Sequence, residues 1–182
     1  MKIATFVLAA CLAACLAAPA LAAPCDAPEH RAFDFWLGEW NVRTPDGKLA
    51  GVNRIVREYG GCVLHERYDT GKGYSGESLN VYDASRKAWH QTWVDTDGTL
   101  LLLEGGARDG RMVLEGQTMN ADGPPTKHRI TWSPNADGSV RQHWESTDAK
   151  GQWTTAFDGT TSASFFVPVL TFTRAYIPGF RR

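Results

Sequence analysis

The sequence predicts an all-β protein: an antiparallel up-and-down barrel of about ten strands, preceded by one short helix. Three observations carry that prediction. Asp-Gly, a pair that tolerates positive φ at both central positions of a tight turn, occurs six times, at 46-47, 97-98, 109-110, 122-123, 137-138 and 158-159. Short segments rich in β-branched and aromatic residues lie between these breaks, at regular spacing. No segment between them carries a sustained helical period.

Further turns are expected at Gly60-Gly61, at Gly71-Lys72-Gly73 and over residues 83–86. The strands then fall near 38–44, 49–58, 62–69, 74–82, 88–95, 99–105, 111–118, 127–133, 139–146 and 152–157, with the helix over residues 28–35. Many short strands at this spacing fit a barrel or a sandwich. Connections this short force neighbours to pair antiparallel. A meander of such length favours closure, because closure removes exposed edges.

Alternation assigns the faces. Trp89-Gln91-Trp93, Ile130-Trp132, Val140-Gln142-Trp144 and Trp153-Thr155-Phe157 each share one face of a strand, while His90-Thr92, Arg129-Thr131, Arg141-His143-Glu145 and Thr154 take the other. All five tryptophans from 89 onward therefore point inward. Cys62-Leu64-Glu66-Tyr68 and Asn80-Tyr82 continue that face. The unbroken run Leu100 to Leu103 gives no facing signal. Residues 161–182 fit an edge strand, a packed tail or an oligomer contact, since Pro168 cannot serve a central strand.

Residues 1–22 read as a signal peptide. Lys2 precedes a run of mostly Ala, Leu, Val, Phe and Cys, and Ala20-Leu21-Ala22 fits a small-x-small cleavage site. The alternative is a lipid anchor, because Leu12-Ala13-Ala14-Cys15 and Leu8-Ala9-Ala10-Cys11 both resemble a lipobox. Residues 23–182 form a single domain. Periplasmic or secreted location is expected, or a membrane-tethered lipoprotein if Cys15 or Cys11 is acylated. Outside the leader only Cys25 and Cys62 remain, and an even pair in an oxidising compartment predicts a disulfide. Nineteen Lys+Arg against 20 Asp+Glu, with Arg181-Arg182 the only basic cluster, argue against a nucleic-acid partner.

Phe33-Asp34-Phe35-Trp36-Leu37-Gly38-Glu39-Trp40 carries a resemblance. Gly38-Glu39-Trp40 resembles the Gly-x-Trp of lipocalins. Together with Gly61-Cys62-Val63-Leu64 and Trp89-His90-Gln91-Thr92-Trp93-Val94-Asp95, the stretch is similar to an uncharacterised family of exported bacterial proteins, over about residues 28–158. The resemblance implies a lipocalin-like (calycin) barrel with Trp40 packed at its closed end beside Gly38. It also implies an Arg covering that Trp, for which Arg174 is the candidate. It lends no established activity.

The expected interior combines flat aromatic walls, Trp89, Trp93, Trp132 and Trp144, with a few polar groups, Glu66, Gln91, His128 and Gln142. Small-molecule sites have that composition. Binding of a small apolar or aromatic ligand is the first functional expectation. A filled barrel acting as a structural or interaction protein of the envelope, with contact through residues 165–172, is the second. An enzyme using Glu66 or His128 as acid or base is the third. No cofactor is expected, haem through His128 being the one option considered, and no metal motif is present. Gly71-Lys72-Gly73-Tyr74-Ser75-Gly76 matches a dinucleotide fingerprint, but strands flank it on both sides, so it reads as a hairpin turn. Asp95-Thr96-Asp97-Gly98 lacks the later ligands of a calcium loop and reads as a turn. Oligomeric state is left open.

Overall fold

Asp109 and Gly110 hold φ of 51° and 74°, the paired left-handed conformation of a two-residue hairpin, so Arg108 and Arg111 face each other directly. Four more Asp-Gly pairs also lie in connections between strands. The structure, a computed structural model, describes residues 25–163. Residues 1–24, with the expected signal peptide, Cys11 and Cys15, and residues 164–182, with Arg174, lie outside the described residues.

A helical turn α1 (Pro28–Arg31) and a 3-10 turn (Asp34–Trp36) precede ten strands: β1 (Gly38–Arg43), β2 (Leu49–Glu58), β3 (Val63–Asp69), β4 (Ser75–Asp83), β5 (Ala88–Asp95), β6 (Leu100–Arg108), β7 (Arg111–Thr118), β8 (Thr126–Pro134), β9 (Val140–Thr147) and β10 (Trp153–Ala163). Each strand pairs antiparallel with the next. β1 closes the barrel on β10, with Trp40 opposite Ala163 and Arg43 opposite Thr160. The expected all-β, up-and-down, ten-stranded barrel with its short N-terminal helix is what forms. The architecture is compatible with a lipocalin-like barrel. Among the described residues no helix is long and apolar enough to cross a membrane.

Two expectations are corrected at β10. The strand continues to Ala163 instead of stopping at 157, so Asp158-Gly159 lies within a ladder opposite His143 and Gln142 and makes no turn. Asp158 is held there by a bidentate bond from Arg141 on the neighbouring β9. Trp153 faces outward, not inward: the register slips between Thr155 and Phe157, leaving Ala156 as an extra residue. Such a bulge inverts the alternation on one side of it. Phe157 therefore points in, while Trp153 stays outside under the Arg129 guanidinium, 4.5 Å from the ring centroid. Facing is also resolved for the run at the start of β6: Leu101 and Leu103 are buried, Leu100 and Leu102 exposed. Cys62 sits in the turn before β3, not on the strand's inner face.

The N-terminal turns plug one end of the barrel. Phe33 and Trp36 are completely buried; their rings stack at 4.8 Å, and Phe33 meets Trp89 and Trp132 at 5.7 and 5.1 Å. Trp40 Nε1 donates to the Trp36 carbonyl at 2.9 Å and Trp89 Nε1 to the Glu29 carbonyl at 3.1 Å, so two indoles bond the plug to the wall. Gly38 has φ of 143°, and a Cβ there would stand 3.0 Å from the Trp40 ring. The glycine of the Gly-x-Trp motif thus lets the backbone pass against the motif's own indole. The Cys25–Cys62 disulfide ties the plug's leading residue to the β2–β3 turn, and Asp34 pairs with Arg57 beside it.

Candidate functional site

Above the plug the barrel is not filled. Ile130 and Trp132 lie on the plug side of a cavity of about 270 Å³ that reaches the end opposite the plug, where Leu101 stands across from Trp93 and the β3–β4 turn contributes Thr70 and Tyr74. Its wall is aromatic: Tyr68, Tyr74, Trp93, Trp132, Trp144 and Phe157. Gly76 makes room for one of these, since a Cβ there would fall 2.3 Å from the Trp93 ring. Two side-chain acceptors fix two of the indoles. Trp93 Nε1 reaches Asp95 Oδ2 at 3.0 Å, and Trp144 Nε1 reaches His128 Nδ1 at 3.2 Å. Tyr74 donates its hydroxyl to the same Asp95 oxygen at 3.0 Å. Burial and the Asp95 carboxylate push the Tyr74 phenol above its ordinary range. Partial burial alone would raise Asp95, but donation from Trp93, the Thr99 amide and Tyr74 outweighs it and holds the carboxyl below its ordinary value.

One side of the cavity is polar. Glu66 on β3 lies between Asn53 on β2 and Ser78 on β4, as the registers Asn53–Tyr68, Ile55–Glu66 and Glu66–Ser78 require. Asn53 Nδ2 donates to Glu66 Oε1 at 2.7 Å and Ser78 Oγ to Oε2 at 2.6 Å. Behind Ser78, Gln91 Nε2 donates to Asn80 Oδ1 at 2.8 Å and Asn80 Nδ2 to Ser78 Oγ at 2.9 Å. The donors thus run in one direction and end on the carboxyl. Burial nevertheless dominates and raises Glu66 from the ordinary 4.5 to about 7.

That shift sets a pH dependence. The folded protein holds the Glu66 proton more tightly than the unfolded chain. The stability it contributes is therefore full below the unfolded value near 4.5 and is lost as pH rises to about 7. The loss is on the order of 3 kcal/mol. Urea unfolding at several pH values should show this decline in the wild type relative to Glu66→Gln, which has no carboxyl to ionise. Parallel curves for the two proteins would contradict it.

Of the residues expected to bind ligand, Glu66, Gln91, Trp93, Trp132, Gln142 and Trp144 line the cavity. Trp89 and His128 share the inward face but lie outside the lining. Trp89 sits at the start of β5, beneath the plug, and is 2% exposed. His128 is held between neighbours: Nδ1 accepts from Trp144, so the neutral ring's proton lies on Nε2, which bonds Thr118 Oγ1 at 2.9 Å. Burial keeps its imidazole below the ordinary value. Asn53, Tyr74 and Phe157 join the site without having been singled out as ligand contacts. Two lining residues carry a buried polar atom with no partner among the described residues, Asn53 Oδ1 and Trp132 Nε1. Among the described residues no group of His, Cys, Asp and Glu is placed to hold a metal ion. No family model matches the chain, and no curated protein matches it.

Proposed function

We propose that this protein is an exported, lipocalin-like carrier or sensor that binds one small, largely apolar or aromatic molecule inside the barrel. The observation that carries the reading is the cavity of about 270 Å³ walled by six aromatic side chains and floored by the sealed core. Its volume falls just below the usual range of small-molecule sites, roughly 300–1,000 Å³, which points to a ligand of one or two rings. Interiors are normally packed to crystal density, so a space left open beside indoles anchored on Asp95 and His128 stands out as a candidate site. The two buried polar atoms without partners support the reading, because buried polar groups are generally satisfied and a ligand offers a partner. The disulfide fits an oxidising compartment and supports export to the periplasm or beyond.

The test is binding of a neutral two-ring dye, 6-propionyl-2-(dimethylamino)naphthalene, whose emission shifts to the blue in apolar surroundings. Wild type should bind it. Replacing Trp93 and Trp144 together by Ala should weaken binding by roughly 100-fold or more, since truncating a central aromatic contact costs about 2 kcal/mol or more. The far-ultraviolet spectrum should stay that of a β-barrel. Unchanged affinity in the double variant would overturn the reading.

One observation favours a second reading. A carboxyl poised near neutrality in a water-poor pocket is also what a general acid or base requires. In that case Glu66→Gln abolishes turnover of a bound molecule while leaving its affinity intact.

A further inference from the structure

Resting on the ligand-binding reading, we infer that the cavity selects organic cations: a small aromatic or alkyl ammonium whose N–H groups meet Glu66 and Asn53 and whose body lies against the indoles. Four observations converge on this. First, the lining contains one carboxyl, Glu66, and no Lys, Arg or His. An anionic ligand would bring a second negative charge into a buried space with no counter-charge, at a cost of many kcal/mol. Second, the polar side of the cavity is rich in unused acceptors. Each Glu66 oxygen accepts one bond, from Asn53 or Ser78, and a carboxylate oxygen has room for another. Asn53 Oδ1 has no partner among the described residues, because its amide nitrogen is committed to Glu66. Third, the rings of Trp93, Trp132, Trp144 and Tyr68 line the same space, and a desolvated cation gains from aromatic rings as well as from a carboxylate. Fourth, a second carboxylate, Asp95, stands behind Trp93 and Tyr74 and accepts from both, which enriches negative charge on the same side. One buried donor without a partner among the described residues, Trp132 Nε1, suits a hydroxyl or carbonyl oxygen at the ligand's far end.

Binding such a cation draws Glu66 into its ionised form, so affinity depends on pH. The groups facing Glu66 are Asn53 from β2 and Ser78 from β4, with Tyr68 next on its own strand and His65 on the outer face. His65 is itself held between Glu58 and Glu77 at 2.9 and 2.7 Å. None of these places a positive charge inside the cavity that would replace the ligand's own. Affinity for an ammonium should therefore fall as pH drops through about 7.

The experiment compares three molecules of one shape in competition with the dye: phenethylamine, propylbenzene and hydrocinnamate, which are cationic, neutral and anionic at pH 8. Phenethylamine should bind roughly tenfold or more tightly than propylbenzene, the gain expected when a desolvated cation meets aromatic faces and a carboxylate, and hydrocinnamate should bind least. Its preference should shrink toward pH 5.5 while propylbenzene binding stays level. Glu66→Gln should erase the preference, while its far-ultraviolet spectrum stays that of a β-barrel and shows that the variant is folded. Equal binding of all three by the wild type, or a preference that survives Glu66→Gln, overturns the inference and leaves the ligand-binding reading standing. Binding of none of the three, nor of the dye, overturns both.

Discussion

Replacing Trp36 by Ala should lower the unfolding free energy by about 3–5 kcal/mol, the range for truncating a fully buried large aromatic. Trp36 is 0% exposed and wedged between Phe33, stacked at 4.8 Å, and Trp132, at 5.3 Å. Its indole N–H has no partner among the described residues, so the loss is one of packing and not of a hydrogen bond. The bond that Trp40 makes is to the Trp36 backbone carbonyl and survives the substitution. The plug therefore stays attached while the core beneath it loses volume, and Phe33 and Trp132 lose a face each. Urea unfolding followed by tryptophan fluorescence measures the cost. A cost under about 1 kcal/mol would mean that the plug is not an integral part of the core, contrary to its burial.

Removing the Cys25–Cys62 disulfide should cost about 4 kcal/mol on the chain-entropy account, because it frees a separation of 37 residues in the unfolded chain. The crosslink also anchors the segment that carries the plug, which is otherwise held by the packing of Phe33 and Trp36 on Trp89 and Trp132, the two indole-to-carbonyl bonds and the Asp34–Arg57 ion pair. Reduced wild type and the Cys25→Ser, Cys62→Ser double variant should unfold at the same denaturant concentration, well below the oxidised protein. Reductant should not shift the double variant further. Equal stability of the oxidised and double-variant proteins would contradict this.

The ladder was legible because turn chemistry and alternation agree along most of the chain. Asp109-Gly110 sets a two-residue hairpin, and the alternation of Trp89-Gln91-Trp93 puts β5 the right way round. β10 was misread at Trp153 because a bulge adds one residue without any change of composition, and period two alone does not register it. Asp158-Gly159 was misread because a glycine that serves turns also serves a crowded strand: a Cβ on Gly159 would meet the Phe157 ring at 2.5 Å.

The site was half legible for a related reason. Alternation gives the face of a side chain but not its height along the barrel axis. Trp89 and Trp93 share a face, yet Trp89 lies under the plug and Trp93 lines the cavity. His128 faces inward and is then taken up by Thr118 and Trp144. Asn53 and Ser78 are visible as partners of Glu66 only once the cross-strand register is known, because they lie 13 and 12 residues from it. The alternation Ser78-Asn80-Tyr82 on β4 was the available signal, and it needed extension by one further position.

The measurement that tests the central claim most directly is native mass spectrometry of the protein purified from its own host, with a denatured spectrum as control. A ligand-holding barrel gives a discrete non-covalent adduct, of a mass suited to a molecule of one or two rings, that is absent from the denatured spectrum and from the Trp93→Ala, Trp144→Ala protein. A native mass equal to the chain alone under every growth condition, together with no uptake of the dye, would contradict the account.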